Sequence, residues 1–94
     1  MHTYEVIFII QPDLDETAIT GIVDKVSGWI TDAKGTIAKV ERWGKRHLAY
    51  TIRKQREGYY VYVNAQLAAT SMAELDRNLR FTETILRYLI TNAD

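Results

Sequence analysis

The residues that could carry covalent chemistry are few and keep the wrong company. The chain has no cysteine, which excludes a thiolate nucleophile, a thiolate metal site and a disulfide framework. Of its two histidines, His2 and His47, His47 lies between Arg46 and Leu48 with no second His, Cys or carboxylate at ligand spacing, so it reads as facing solvent or RNA rather than a metal. Ser27 and Ser71 sit in no G-x-S-x-G context, and neither a G-x-x-x-x-G-K-[ST] loop nor a G-x-G-x-x-G turn is present. Asp13, Asp15 and Glu16 precede a helical stripe, where carboxylates cap free N–H groups and complement the helix dipole. No catalytic residue, metal ligand, cofactor or small-molecule substrate is expected.

The cations have a different distribution. Twelve Lys and Arg balance twelve Asp and Glu over 94 residues, but the neutrality is a sum of unlike blocks. Residues 1–38 hold two basic and six acidic side chains, net −4. Residues 39–56 hold seven basic (Lys39, Arg42, Lys45, Arg46, Arg53, Lys54, Arg56) against Glu41, net +6. Residues 57–94 hold three basic and five acidic, net −2. Such a block is evidence about partners, not about fold. It fits phosphate binding, with a solvated hairpin whose Lys and Arg guard an edge strand as the plainer alternative.

These cations must be positioned by a chain that reads β-α-β-β-α-β. Strand one is expected over about Thr3–Ile10, apolar on both faces and therefore central or covered. It stops at Gln11-Pro12-Asp13. A helix follows over about Asp15–Lys34, capped by Asp13 or Asp15. Ile19, Ile22, Val23, Val26, Ile30 and Ala33 form its apolar stripe, and Gly35 is its left-handed stop. Thr36–Arg53 reads as strand-like but long, broken by Gly44, where a bulge or bend is expected. Gln55–Gly58 reads as a turn and Tyr59–Leu67 as a strand, so the pair forms a hairpin with a basic approach and a basic turn. A second helix runs from the S-x-x-E capping box Ser71–Glu74 to about Arg80, with Met72, Leu75 and Leu79 inward. The last strand is about Ile85–Thr91. No window reaches the length of a membrane span, and the start lacks the features of a signal peptide. A soluble protein of a reducing compartment is expected.

This order in so short a chain predicts one domain, residues 1–94. Its class is α+β: a ferredoxin-like split βαβ, with a four-stranded antiparallel sheet and two helices on one face. Alternation along strand three places Tyr59, Val61, Val63, Ala65 and Leu67 under the helices. Tyr60, Tyr62, Asn64 and Gln66 then fall on the open face, with Ile7 and Ile9 of strand one and Arg87 and Leu89 of strand four. Apolar and aromatic area there calls for a partner. Trp29 and Trp43 read as packing or as partly exposed contact surface. The stretch Glu57–Asn64 matches the third-strand pattern of the RNA-recognition motif only at its Gly and first aromatic.

Gly44-Lys45-Arg46-His47-Leu48-Ala49-Tyr50-Thr51-Ile52 resembles the signature of the sixth protein of the bacterial small ribosomal subunit: Gly, any residue, a basic residue, a polar residue, Leu, Ala or Ser, Tyr, any residue, Ile. The likeness covers nearly the whole chain, through Tyr4-Glu5, Pro12-Asp13, Glu41-Arg42-Trp43 and Leu79-Arg80-Phe81. Thr51 stands where that family often has Pro. Many of its members continue into a charged tail that helps hold a partner protein; residues 1–94 stop just after the last strand. The resemblance implies a cytoplasmic, non-enzymatic ribosomal constituent. It further implies binding to the central domain of 16S ribosomal RNA, in the platform, as a heterodimer with the eighteenth small-subunit protein.

The cations expected to meet RNA phosphates are Lys45, Arg46, Arg53, Lys54 and Arg56, joined by Arg80 and Arg87. The apolar area offered to the partner protein is expected from Ile7, Ile9, Tyr60, Tyr62 and Leu89. Two other classes compete. An acylphosphatase-like enzyme would need a Gly-rich loop with an Arg after strand one, but Gln11-Pro12-Asp13-Leu14-Asp15 is acidic and would repel phosphate. A ferredoxin-like regulatory or RNA-binding module outside the ribosome would share the fold without the assembly.

Overall fold

Alternating apolar residues on β1 (His2–Ile10) and β3 (Gln55–Leu67) make the core of the sheet. In the computed structural model, which describes residues 1–94, these are the two central strands. The strand order is β2-β3-β1-β4, with β2 spanning Thr36–Ile52 and β4 spanning Ile85–Asn92, and every pairing is antiparallel. Helices α1 (Glu16–Asp32) and α2 (Met72–Arg80) cover one face. This is the expected α+β, ferredoxin-like βαββαβ arrangement.

The core is the helix-side face of the two central strands. Val6, Phe8 and Ile10 of β1 meet Val61, Val63 and Ala65 of β3, all at 0% exposure. Ile19, Val23, Val26 and Ile30 of α1 and Leu75 and Leu79 of α2 close over them. Each such apolar side chain contributes roughly 1.5–3 kcal/mol on burial. Asp15 caps α1, its carboxylate accepting the Ala18 N–H at 2.8 Å. Arg42, from β2, straps α1 to the sheet: Nε donates to the Tyr59 hydroxyl at 2.9 Å, Nη1 to Thr20 at 3.0 Å, and Nη2 meets Glu16.

Four local expectations are corrected. Helix α1 does not end on a left-handed Gly35. Lys34 takes that conformation, at φ 65°, and Gly35 is needed for space, since a Cβ there would stand 2.6 Å from Leu67 Cδ2 and 2.8 Å from the Gln66 carbonyl oxygen. The Ser71 side chain makes no cap: a 3-10 turn, Ala69–Ser71, precedes α2, and Ser71 is already helical. Gln55–Gly58 is strand rather than turn. The hairpin reverses at Arg53 and Lys54, both at positive φ (49° and 67°), with Ile52 opposite Gln55. Finally, β2 runs on through Gly44, where φ is +84° and the register shifts, so the expected bulge is present without a break.

Candidate nucleic-acid interface

The faces of β2 follow from its register. Shifts fall between Ile37 and Lys39, between Arg42 and Gly44, and between His47 and Ile52. Each extra residue reverses which parity faces the helices. Val40, Arg42 and Lys45 therefore lie opposite the core-side residues Val63, Val61 and Tyr59. Glu41 and Arg46 lie opposite Tyr62 and Gly58, on the open face.

The open face carries an ordered aromatic group. Trp43 stacks on Tyr62, with ring centroids 5.5 Å apart and planes at 7°. The Arg46 guanidinium carbon is 5.0 Å from the Trp43 ring and 5.9 Å from the Tyr60 ring. Offset stacking and cation–π contacts of this kind are worth about 0.5–1.5 kcal/mol each. The Tyr62 hydroxyl donates to Glu5, which holds the phenol above its ordinary pKa of 10.0, and Asn64 donates to the same hydroxyl at 3.3 Å. The Trp43 indole N–H donates to Glu41 at 3.1 Å and, with Lys39 also 3.1 Å away, holds that carboxyl below its ordinary 4.5.

That direction sets a pH dependence. A folded-state pKa lowered by these partners means that Glu41 stabilises the fold fully above 4.5 and loses this contribution as pH falls through the lowered value. In a Trp29→Phe background, which leaves Trp43 as the only indole, acidification below pH 4.5 is expected to shift Trp43 emission before the protein unfolds. Glu41→Gln, which keeps an acceptor but cannot titrate, is expected to remove that early step. A step that survived the substitution would place its origin elsewhere.

The hairpin tip reaches across the sheet. Tyr59 pairs with Ile10, the last residue of β1, so residues 55–58 of β3 run past the end of that strand. The tip meets β4 and the loop before it. Arg53 Nη1 donates to the Glu83 carbonyl at 2.8 Å, and Arg87 Nη1 donates to the Tyr50 hydroxyl at 2.6 Å, with its guanidinium 5.4 Å from the Tyr50 ring. A cavity of about 200 Å³ lies there, lined by Arg53, Arg80 and Arg87 against an apolar wall of Leu79, Ile85 and Leu86.

The seven expected cations thus fall into groups. Arg53, Arg80 and Arg87 come together at the cavity. Arg46 joins the aromatic group on the open face. Lys54 is in the turn and Arg56 beside it, both exposed; Lys45 is exposed on the helix side of the sheet, and none of these three has an ion-pair partner. Of the expected apolar residues, Ile7, Tyr60 and Tyr62 are half-buried and Leu89 is 61% exposed beside Ile7. Ile9 also lies on the open face but is only 9% exposed, because it sits over Gly58 together with Leu48, and it has little area to offer. Tyr50, Trp43 and Leu48 take larger parts than alternation assigns them. Their positions depend on the bulges of β2, which leave no simple periodic trace. No helix is long and apolar enough to cross a membrane.

Comparison with known proteins agrees with this fold. The family model described as ribosomal protein S6 matches residues 3–92. The small ribosomal subunit protein bS6 of Moorella thermoacetica is 44% identical over 94 residues, covering 100% of this chain and 96% of its own. That of Desulforudis audaxviator is 43% identical over 94 residues, with 100% of each chain covered. The crystal structure of 30S ribosomal protein S6 from Thermotoga maritima matches with a TM-score of 0.93 at 35% identity, covering 97% of this chain and 86% of that one.

Proposed function

The chain belongs to the ribosomal protein S6 family, non-enzymatic structural proteins of the small ribosomal subunit, and from that premise we propose that it binds the central domain of 16S ribosomal RNA, in the platform, together with the eighteenth small-subunit protein. Residues 1–94 act as one domain. The role is positional: the chain neutralises phosphates, fixes a protein partner, and reads RNA by shape. Lys45, Arg46, Arg53, Lys54, Arg56, Arg80 and Arg87 meet phosphates. Ile7, Tyr60, Tyr62 and Leu89 supply the partner's apolar contact, with Ile9 as support beneath.

The observation that carries this reading is the exposed, unneutralised charge at and near the hairpin tip. Lys45, Lys54 and Arg56 have no anionic partner, and Arg53 and Arg87 are held by a carbonyl and a phenol rather than by carboxylates. An overall neutral chain has a weak long-range field for RNA. Local charge shared with a partner protein compensates for that.

The test is binding to a central-domain RNA fragment at several salt concentrations, with and without the eighteenth protein. Tight binding is expected only with both proteins present. Affinity should then fall log-linearly with salt, with a slope of about 0.7–0.9 for each phosphate neutralised. Absence of binding in the presence of the partner, or binding indifferent to salt, would refute the proposal.

A further inference from the structure

We propose that the cavity between the hairpin tip, the end of α2 and the start of β4 is a phosphate pocket, and that it takes one phosphodiester of the bound RNA. This rests on the RNA-binding reading above and deepens it: the three arginines act as one site on one phosphate, not as three scattered contacts.

Three arginines line the cavity from three elements: Arg53 from the turn, Arg80 as the last residue of α2, and Arg87 from β4. Only Arg80 is neutralised, by Asp76, whose carboxylate also accepts from the Tyr88 hydroxyl at 2.8 Å. The partners of Arg53 and Arg87 are uncharged and use one N–H each, leaving most of the five donors of each fork unspent. Those partners nonetheless fix the two side chains in place. The C-terminal end of α2 points its negative dipole end this way, and Arg77 and Arg80 in its last turn offset it. The apolar wall lowers the local dielectric and strengthens what the forks do.

Shape favours phosphate over a partner protein's carboxylate. A planar carboxylate is satisfied by one bidentate fork, whereas a tetrahedral group with several oxygens accepts from forks converging along different directions. At about 200 Å³ the cavity holds a phosphate group with water to spare. The turn supplies a second line of argument. Arg53 and Lys54 both hold left-handed backbone without being Gly or Asn, and such backbone kept at a residue that lines a cleft, as Arg53 does, is characteristic of functional sites.

Two measurements test this. In the first, inorganic phosphate is titrated into the full chain at constant ionic strength, while the arginine Nε–H resonances are followed. Saturable shifts are expected for Arg53, Arg80 and Arg87 together, and they are expected to vanish in Arg87→Gln. A non-saturating drift shared with Arg56 would overturn the pocket. In the second, the salt slope is measured for the assembly with partner and RNA. Arg53→Gln and Arg87→Gln are each expected to lower it by about 0.7–0.9, and the double variant by no more than either single one. Additive losses would mean separate phosphates and overturn the proposal. So would weaker binding to the partner protein in the absence of RNA, which would mark the occupant as a protein carboxylate. Saturable phosphate shifts in a wild-type chain that binds no RNA would overturn the RNA source and assign the pocket to a free phosphate. Arg53→Lys and Arg87→Lys keep charge while losing the fork. A loss of the concerted shifts in these variants, at unchanged thermal midpoint, separates the site from the fold.

Discussion

Gly58→Ala is expected to cost about 1–2 kcal/mol of folding stability, through a single contact. Gly58 is buried in β3, and a Cβ on it would lie 2.2 Å from Ile9 Cγ2 and 3.4 Å from Leu48 Cδ2. Its φ lies outside the left-handed region, so the cost is steric rather than conformational. Ile9 cannot yield easily. It is branched at Cβ and stiff at χ1, it is 9% exposed, and its strand is held on both sides, with Tyr60 and Arg87 as its opposite numbers. Overpacking of this kind costs about 1–3 kcal/mol, against a backbone gain from Gly to Ala of roughly 0.5–1 kcal/mol. The clash couples the two positions. Ile9→Ala alone should cost about 2–3 kcal/mol, but in that background Gly58→Ala should be neutral or stabilising, because the obstructing methyl has gone. Urea unfolding of the four proteins measures the coupling. Equal costs for Gly58→Ala in both backgrounds would rule out the clash. Arg46 lies directly opposite Gly58, so the same substitution is expected to disturb the Arg46–Trp43 contact and to change Trp43 emission.

The parts of the molecule legible in the sequence are those where alternation runs unbroken. Residues 59–67 carry no bulge on the β1 side, and their odd members Val61, Val63, Ala65 and Leu67 are core residues as alternation assigns, with Tyr59 packed at the margin. The α1 stripe reads equally well, with Ile19, Val23, Val26 and Ile30 buried and Ile22 and Ala33 packed at its margin. Strand β2 does not read this way. Its register shifts put Arg42 and Lys45, of opposite parity, on the same face. The turn was obscured for a related reason: Arg53-Lys54 lacks the Gly or Asn that usually marks left-handed backbone, whereas the nearby Gly58 suggests a turn and is there for space. The convergence of Arg53, Arg80 and Arg87 has no sequence signal at all. They come from three elements, and only the hairpin tip reaching past the end of β1 brings them together. The family resemblance agrees with the fold read from the element order and implies the assembly proposed above, but it carries no geometry for the site.

The β2 register places neighbouring cations on opposite faces of the sheet. Lys45→Glu and Arg46→Glu change net charge equally, so a binding surface that sensed only the overall field would lose the same affinity to either. The structure places them on opposite faces. Lys45 is exposed on the helix side, opposite Tyr59, whereas Arg46 lies over Trp43 and Tyr60 on the open face. Reversal at 46 removes two cation–π contacts, each worth about 0.5–1 kcal/mol at an exposed site. It also adds a carboxylate to a face that already holds Glu5 and Glu41. Arg46→Glu is therefore expected to weaken assembly with the partner protein and RNA by about 100-fold, close to 2.8 kcal/mol, and Lys45→Glu by no more than about tenfold. Arg46→Lys, which keeps the charge and weakens the stacking, should fall between wild type and the reversal. Equal losses from the two reversals would reduce the role of this strand to its charge alone. Unchanged assembly in both would remove it from the RNA and partner surface, and would leave Lys54, Arg56 and the arginine cavity as the remaining phosphate contacts to test.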